Sequence, residues 1–205
     1  MSIKLNARQW FSRRSLIAGL GATAGAAAVS AAAPPAPGSR GPDPLHRAKV
    51  DTWLAKDEIA ELRRLYARAT DLIGLDTESS VAEGRSIYQR VFTSDAKIGA
   101  TGQPSVTGPD AWVKIANDAL RVYQDTQHLI GTQVVEIVQL PDSEGKGGEA
   151  VMTSYLQAWH AKADGELWLF IGTYHDKVRS TPGVGWQIYD MALQQVSGET
   201  RRLGV

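Results

Sequence analysis

The spacing of apolar residues changes once along the chain, from steps of three and four to steps of two, and that switch constrains the fold more than any other feature. Over residues 56–73, Ile59, Leu62, Leu65, Tyr66, Ala69 and Ile73 share one helical face, with Asp57 and Glu58 at the positive end of the helix dipole. Residues 81–92 repeat the pattern through Ile87, Tyr88, Val91 and Phe92. Residues 110–123 do so again, with Gly108 and Pro109 leading in and Trp112, Ile115, Ala116, Ala119, Leu120 and Tyr123 following at helical spacing. From residue 126 the repeat is two: 126–140, 149–162, 166–179 and 184–195 alternate and are rich in Val, Ile and aromatic residues. The turns between them, 141–148, 163–165 and 181–183, carry the Gly, Pro or Asp that hairpins need.

Three helices followed by four strands predict an α+β fold, a cone-shaped roll in which a strongly curved antiparallel sheet wraps around the N-terminal helices. The inside of such a cone is the natural place for an apolar pocket with a few polar groups.

Ahead of this domain, Arg13 and Arg14 stand paired after Phe11 and Ser12, and an uncharged Ala/Gly-rich segment at 16–33 ends in small residues. A basic start, an apolar middle and a small-residue end predict a cleaved signal, and the arginine pair places it in the twin-arginine class, which exports folded proteins. An uncleaved anchor is the weaker reading, because Ala and Gly supply little transfer energy into a bilayer. Residues 1–33 are therefore read as a signal for the twin-arginine export machinery, 34–47 as a Pro/Gly-rich linker, 48–197 as the domain and 198–205 as a tail. The expected location is periplasmic or secreted.

The chain has no cysteine, which excludes a disulfide framework and any thiolate metal site. Acidic and basic residues balance at 22 each, and without a basic stripe no nucleic-acid partner is expected. There is no Gly-rich phosphate loop, no Gly-x-Ser-x-Gly elbow and no paired-histidine zinc helix. His160 and the pair His175 and Asp176 invite a metal reading, but strand neighbours point to opposite faces and cannot share one ion. No metal and no cofactor are expected.

Several short segments carry a resemblance: the helix bearing Tyr66 and Asp71, Phe92-Thr93-Ser94-Asp95-Ala96, Gly108 before the third helix, Thr126-Gln127-His128, Gly172-Thr173-Tyr174-His175-Asp176, and Gly185-Trp186-Gln187-Ile188. In their order and spacing, over roughly residues 55–195, the chain resembles the SnoaL-like branch of the nuclear-transport-factor-two-like superfamily. Scytalone dehydratase, limonene epoxide hydrolase, ketosteroid isomerase relatives and bile-acid dehydratase belong to it. The resemblance implies cofactor-free acid/base chemistry (dehydration, isomerisation or hydration) on a small, largely apolar ring compound held in the cone. It assigns His128 as base, Asp71 as the group that orients it, and Tyr66 as hydrogen-bond donor to the oxygen that gains charge or departs. Trp112, Tyr155, Trp159, Tyr174 and Met191 are the expected lining.

Each residue also has a plain structural role open to it: Tyr66 as core, Asp71 as a cap, His128 as a satisfied histidine, and Trp159, Trp168 and Trp186 as core or rim of the sheet. Tyr66 and Asp71 lie five residues apart on one helix, so their side chains diverge by roughly 140°. Relatives that dehydrate place a further His or Asp on the second long strand. Here Thr153, Tyr155, Gln157 and Trp159 share one face and His160 lies nearer the other, so that partner is not expected. Many relatives carry an arginine where this chain has Met191. Both departures leave room for a non-catalytic ligand-binding or dimerisation module, and pairing of relatives through the open sheet face points to a homodimer.

Overall fold

The structure is a computed structural model that describes residues 43–202; the expected twin-arginine signal, residues 34–42 of the expected linker and residues 203–205 lie outside the described part. Helix α1 (Pro44–Gly74) starts where the Asp43 carboxylate accepts a hydrogen bond from the Leu45 amide and Pro44 occupies the first turn. Proline there loses no hydrogen bond and has its φ preset for the helix. The helix thus begins inside the segment read as extended linker, and well before residue 56. Helix α2 (Glu78–Val91) opens with a capping box between Thr77 and Ser80. Helix α3 (Pro109–Leu120) follows Gly108, whose φ of 84° favours glycine.

Strands β1 (Phe92–Ala100) and β2 (Val106–Thr107) lie between α2 and α3, where no strand was expected. β1 has no Val or Tyr run and places Ser94, Asp95 and Lys97 among its apolar residues, so neither alternation nor β-branched content marks it. The remaining strands, β3 (Asp125–Gln139), β4 (Glu149–Ala161), β5 (Glu166–Thr181) and β6 (Gly185–Arg202), match the expected order, although β6 continues into residues assigned to the tail. The sheet order is β2-β1-β6-β5-β4-β3. It is mixed rather than purely antiparallel, because β1 pairs parallel to β6.

Bulges interrupt the register in β3 between Gly131 and Val134, and in β6 opposite Ile171/Gly172 and Lys177/Val178 of β5. Bulges bend strands and strengthen their twist, and the sheet curls over the helices as the α+β cone. One face of β4 turns inward with Ala150, Met152, Ser154, Leu156, Ala158 and His160 buried. The core joins Ile59, Leu62, Tyr66 and Ile73 of α1 to Tyr88 of α2, Trp112 of α3, and Leu156, Tyr174 and Ile188 of the sheet. Helices α1 and α2 approach closely at Gly84, where an added Cβ would lie 2.6 Å from Ile73 Cγ1 and 2.8 Å from the Ala69 carbonyl oxygen. Among the described residues no helix is long and apolar enough to cross a membrane.

Candidate functional site

His128 enters the cone from the start of β3, and Asp71 meets it from the last turn of α1. The carboxylate takes three hydrogen bonds there: from the Thr126 hydroxyl (3.2 Å), from the His128 amide (3.2 Å) and at the His128 ring Nδ1 (2.7 Å). A carboxylate accepts, so Nδ1 carries a proton, and in the neutral ring this tautomer leaves the lone pair on Nε2. The imidazole is sheltered at 7% side-chain exposure, whereas Asp71 keeps 29% and faces an outer groove beside Arg64 and Arg68. His128 therefore lines both that groove and a second, partly open cavity.

The cavity measures about 140 Å³. Tyr66, Trp112, His128, His160, Trp168 and Tyr174 give it its polar edges, over walls of Leu156, Ala158, Phe170 and Leu120. Among the described residues its lining holds no carboxylate, ammonium or guanidinium. Tyr66 and Asp71 diverge as their helical spacing requires, yet His128 reaches both the carboxylate and the cavity that Tyr66 lines.

The hydroxyl of Tyr66 accepts a hydrogen bond from Trp112 Nε1 at 3.0 Å. Indole N–H only donates, so the phenolic proton remains available to another acceptor. The Tyr66 ring stacks on Tyr88 with centroids 5.1 Å apart and meets Tyr174 edge-on at 5.5 Å. Thr70 donates to the Tyr66 carbonyl and accepts from the Tyr88 hydroxyl, which holds this aromatic cluster in register. Burial pushes the Tyr88 and Tyr174 phenols well above their ordinary range, so both stay neutral donors.

Sequence reasoning placed His160 nearer the non-pocket face, and the structure reverses that. Thr126 pairs with His160 and His128 with Ala158, so the two histidines are diagonal neighbours on the inner face, with ring centroids 5.6 Å apart. His160 Nδ1 donates to the Trp168 carbonyl at 3.2 Å. Burial first, then the neighbouring His128, lowers its pKa to about 4 and keeps it a neutral ring. The missed signal was the phase of β4: its large aromatics lie outside, and the small residues Ala150, Ser154 and Ala158 lie inside, where α1 and the cavity need room.

Three expected lining residues, Tyr155, Trp159 and Met191, therefore fall away from the pocket. Tyr155 is 57% exposed on the outer face of β4, which Trp159 shares. Met191 is buried but lies outside the cavity lining, beneath Arg63, whose Nη1 is 3.5 Å from the Met191 sulfur. Trp112 and Tyr174 do line the cavity. Arg63 itself escaped notice, although its place between Ile59 and Tyr66 sets it on the buried stripe of α1. His175 points outward and Asp176 inward, and among the described residues no cluster of three or more His, Asp or Glu could hold a metal ion.

None of the curated proteins compared matches the chain. Among solved structures, a candidate scytalone dehydratase from Novosphingobium aromaticivorans DSM 12444 is 16% identical, with a TM-score of 0.59 over 77% of this chain and 94% of that one. The hexachlorocyclohexane dehydrochlorinase LinA-type3 of Novosphingobium barchaimii LL02 is 12% identical, with a TM-score of 0.60 over 77% and 96%. A protein from Kribbella flavida reaches 25% identity, with a TM-score of 0.56 over 74% and 95%. The first two likenesses speak for the fold. The family profile of the SnoaL-like domain matches residues 51–192, most of the described chain. On that match, and on the fold just described, the chain belongs to the SnoaL-like domain family.

Proposed function

We propose that the protein is an acid/base lyase or isomerase that dehydrates, isomerises or hydrates a small, uncharged, largely apolar ring compound bound in the cone. The observation that carries this reading is the Asp71–His128 contact of 2.7 Å beside a cavity with no charged lining. Asp71 fixes the imidazole tautomer, so His128 presents Nε2 as the base. The substrate C–H gives its proton to Nε2, and the electron pair moves toward an oxygen. Tyr66 donates to that oxygen as it gains charge. In dehydration the imidazolium returns the proton to the departing hydroxyl, and water leaves.

The volume supports a single ring, since an apolar cavity on the order of 150 Å³ holds a benzene-sized molecule. Two structural neighbours, a candidate scytalone dehydratase and a hexachlorocyclohexane dehydrochlorinase, are named for eliminations and favour the same class. A purely ligand-holding role drew part of its support from an inner face of β4 without a polar partner, and His160 supplies one. The test is deuterium exchange: native protein in heavy water, given uncharged single-ring ketones and β-hydroxy ketones, incorporates deuterium next to the carbonyl or eliminates water. The His128→Asn variant falls by about 100-fold or more. Equal, background rates for both would contradict the reading.

Two further elements complete the proposal. The chain leaves the cytoplasm through the twin-arginine route, so replacing Arg13 and Arg14 by lysine leaves unprocessed precursor inside the cell. Two copies pair through the outer sheet face, where Leu129, Val134 and Tyr155 are exposed. A sedimentation mass of one chain would contradict that pairing.

A further inference from the structure

A charged side chain fully buried in a small domain is costly unless it is well paired, and a buried ion pair can often be replaced by apolar residues without loss of stability. Arg63 is such a residue: it is 0% exposed, and one of its terminal nitrogens is paired with Asp176 on β5, also buried. The pairing is incomplete. Arg63 Nε and Asp176 Oδ2 are both buried without a protein partner, and so is the hydroxyl of Ser154, which stands opposite Tyr174 across the β4–β5 ladder. A pair retained purely for stability would be expected to satisfy these atoms.

The position of the guanidinium explains its retention better. Its central carbon lies 3.8 Å from the centroid of the Tyr174 ring and 4.5 Å from that of Tyr66. Both rings reach the cavity, whereas Arg63 does not line it. A cation over an aromatic face is attracted by the ring's electron density, and in a desolvated site the interaction is at its strongest. It draws electron density from each phenol and so makes each O–H a better donor. The Trp112 N–H acts in the same sense on the Tyr66 oxygen.

We propose that Arg63 is a positioning residue, a buried cation wedged between Tyr66 and Tyr174 that locks the two rings and biases their hydroxyls to stabilise negative charge on a ring oxygen bound in the cavity. This rests on the reading of the cavity as a site for an uncharged ring compound whose oxygen gains charge. It adds the reason that a pocket without a charged lining can hold that charge. Asp176 keeps the net charge of the interior at zero, so the effect is local and directional. Any formal charge stays one ring away from the ligand.

The test uses the full mature protein and 4-nitrophenol, a single-ring probe whose anion is yellow and whose neutral form is not. In mildly acidic buffer the bound probe's absorbance gives the ratio of anion to phenol in the cavity. Native protein is expected to enrich the anion by about tenfold over free probe, a size suited to desolvated cation–π contacts. The double variant Arg63→Met with Asp176→Leu, which removes both charges and leaves neither stranded, is expected to lose that enrichment while keeping the native circular dichroism. Arg63→Lys keeps the cation without the planar stack and is expected to fall between them. It carries the test alone should the double variant not fold. The same anion fraction in native and variant proteins would overturn the role of Arg63 and leave the cavity reading standing. Probe that binds without disturbing the His128 ring signals, or does not bind, would overturn both. Anion enrichment with no deuterium exchange on any ketone would support Arg63 and contradict catalysis.

Discussion

At the residue scale, His160 ties the site to stability. Burial lowers its pKa from the ordinary 6.5 to about 4, so the unfolded chain binds a proton at a pH where the folded chain does not. The sign follows: this contribution is fully present above the unfolded value and is lost as pH falls from about 6.5 toward 4. The loss is on the order of 3 kcal/mol. Urea midpoints measured across that interval are expected to decline in native protein, and His160→Gln is expected to flatten the decline. A slope unchanged by the substitution would contradict the assignment. His128 and Asp71 were legible in the sequence because a motif brought them together, Thr126-Gln127-His128 on one side and the Tyr66/Asp71 helix on the other. His160 was not, because both faces of β4 carry apolar residues, and alternation alone cannot say which face is inside.

At the element scale, the two helices that roof the cone depend on Gly84. A side chain there would meet Ile73 and the Ala69 carbonyl well inside contact distance, and backbone cannot yield as a flexible side-chain tip can. Gly84→Val is expected to cost about 1–3 kcal/mol by overpacking, read as a lowered thermal midpoint. Because α1 carries both Tyr66 and Asp71, displacing it also loosens the contact with His128. An unchanged midpoint would mean that α1 and α2 pack differently. The long strands β3 to β6 and the centres of the helices were readable from period alone. The start of α1 was not, because Pro44 reads as a breaker in a Pro/Gly-rich stretch, although with Asp43 before it proline initiates a helix. β1 was hidden by its polar content and by Phe92, which the helical pattern had claimed.

At the scale of the whole molecule, the cone sorts its histidines. The chain has four: His128 and His160 on the inner face beside the cavity, and His46 and His175 exposed outside it. The polar groups that line the cavity come from α1, α3, β3, β4, β5 and the β1–β2 connection, so the site exists only when the sheet has curled over the helices. That is why sequence could name single residues but not the set: His160 and Trp168 join it through tertiary register rather than through spacing. The central claim, that an uncharged single ring binds beside the Asp71–His128 pair, is open to one measurement with its own internal control. Nitrogen-15 imidazole spectra of the mature protein, recorded as phenol and then benzylammonium are added, are predicted to show phenol shifting the signals of His128 and His160 and leaving His46 and His175 in place, with benzylammonium shifting none. Movement of the outer pair, equal response to benzylammonium, or an inner pair indifferent to phenol would contradict the account.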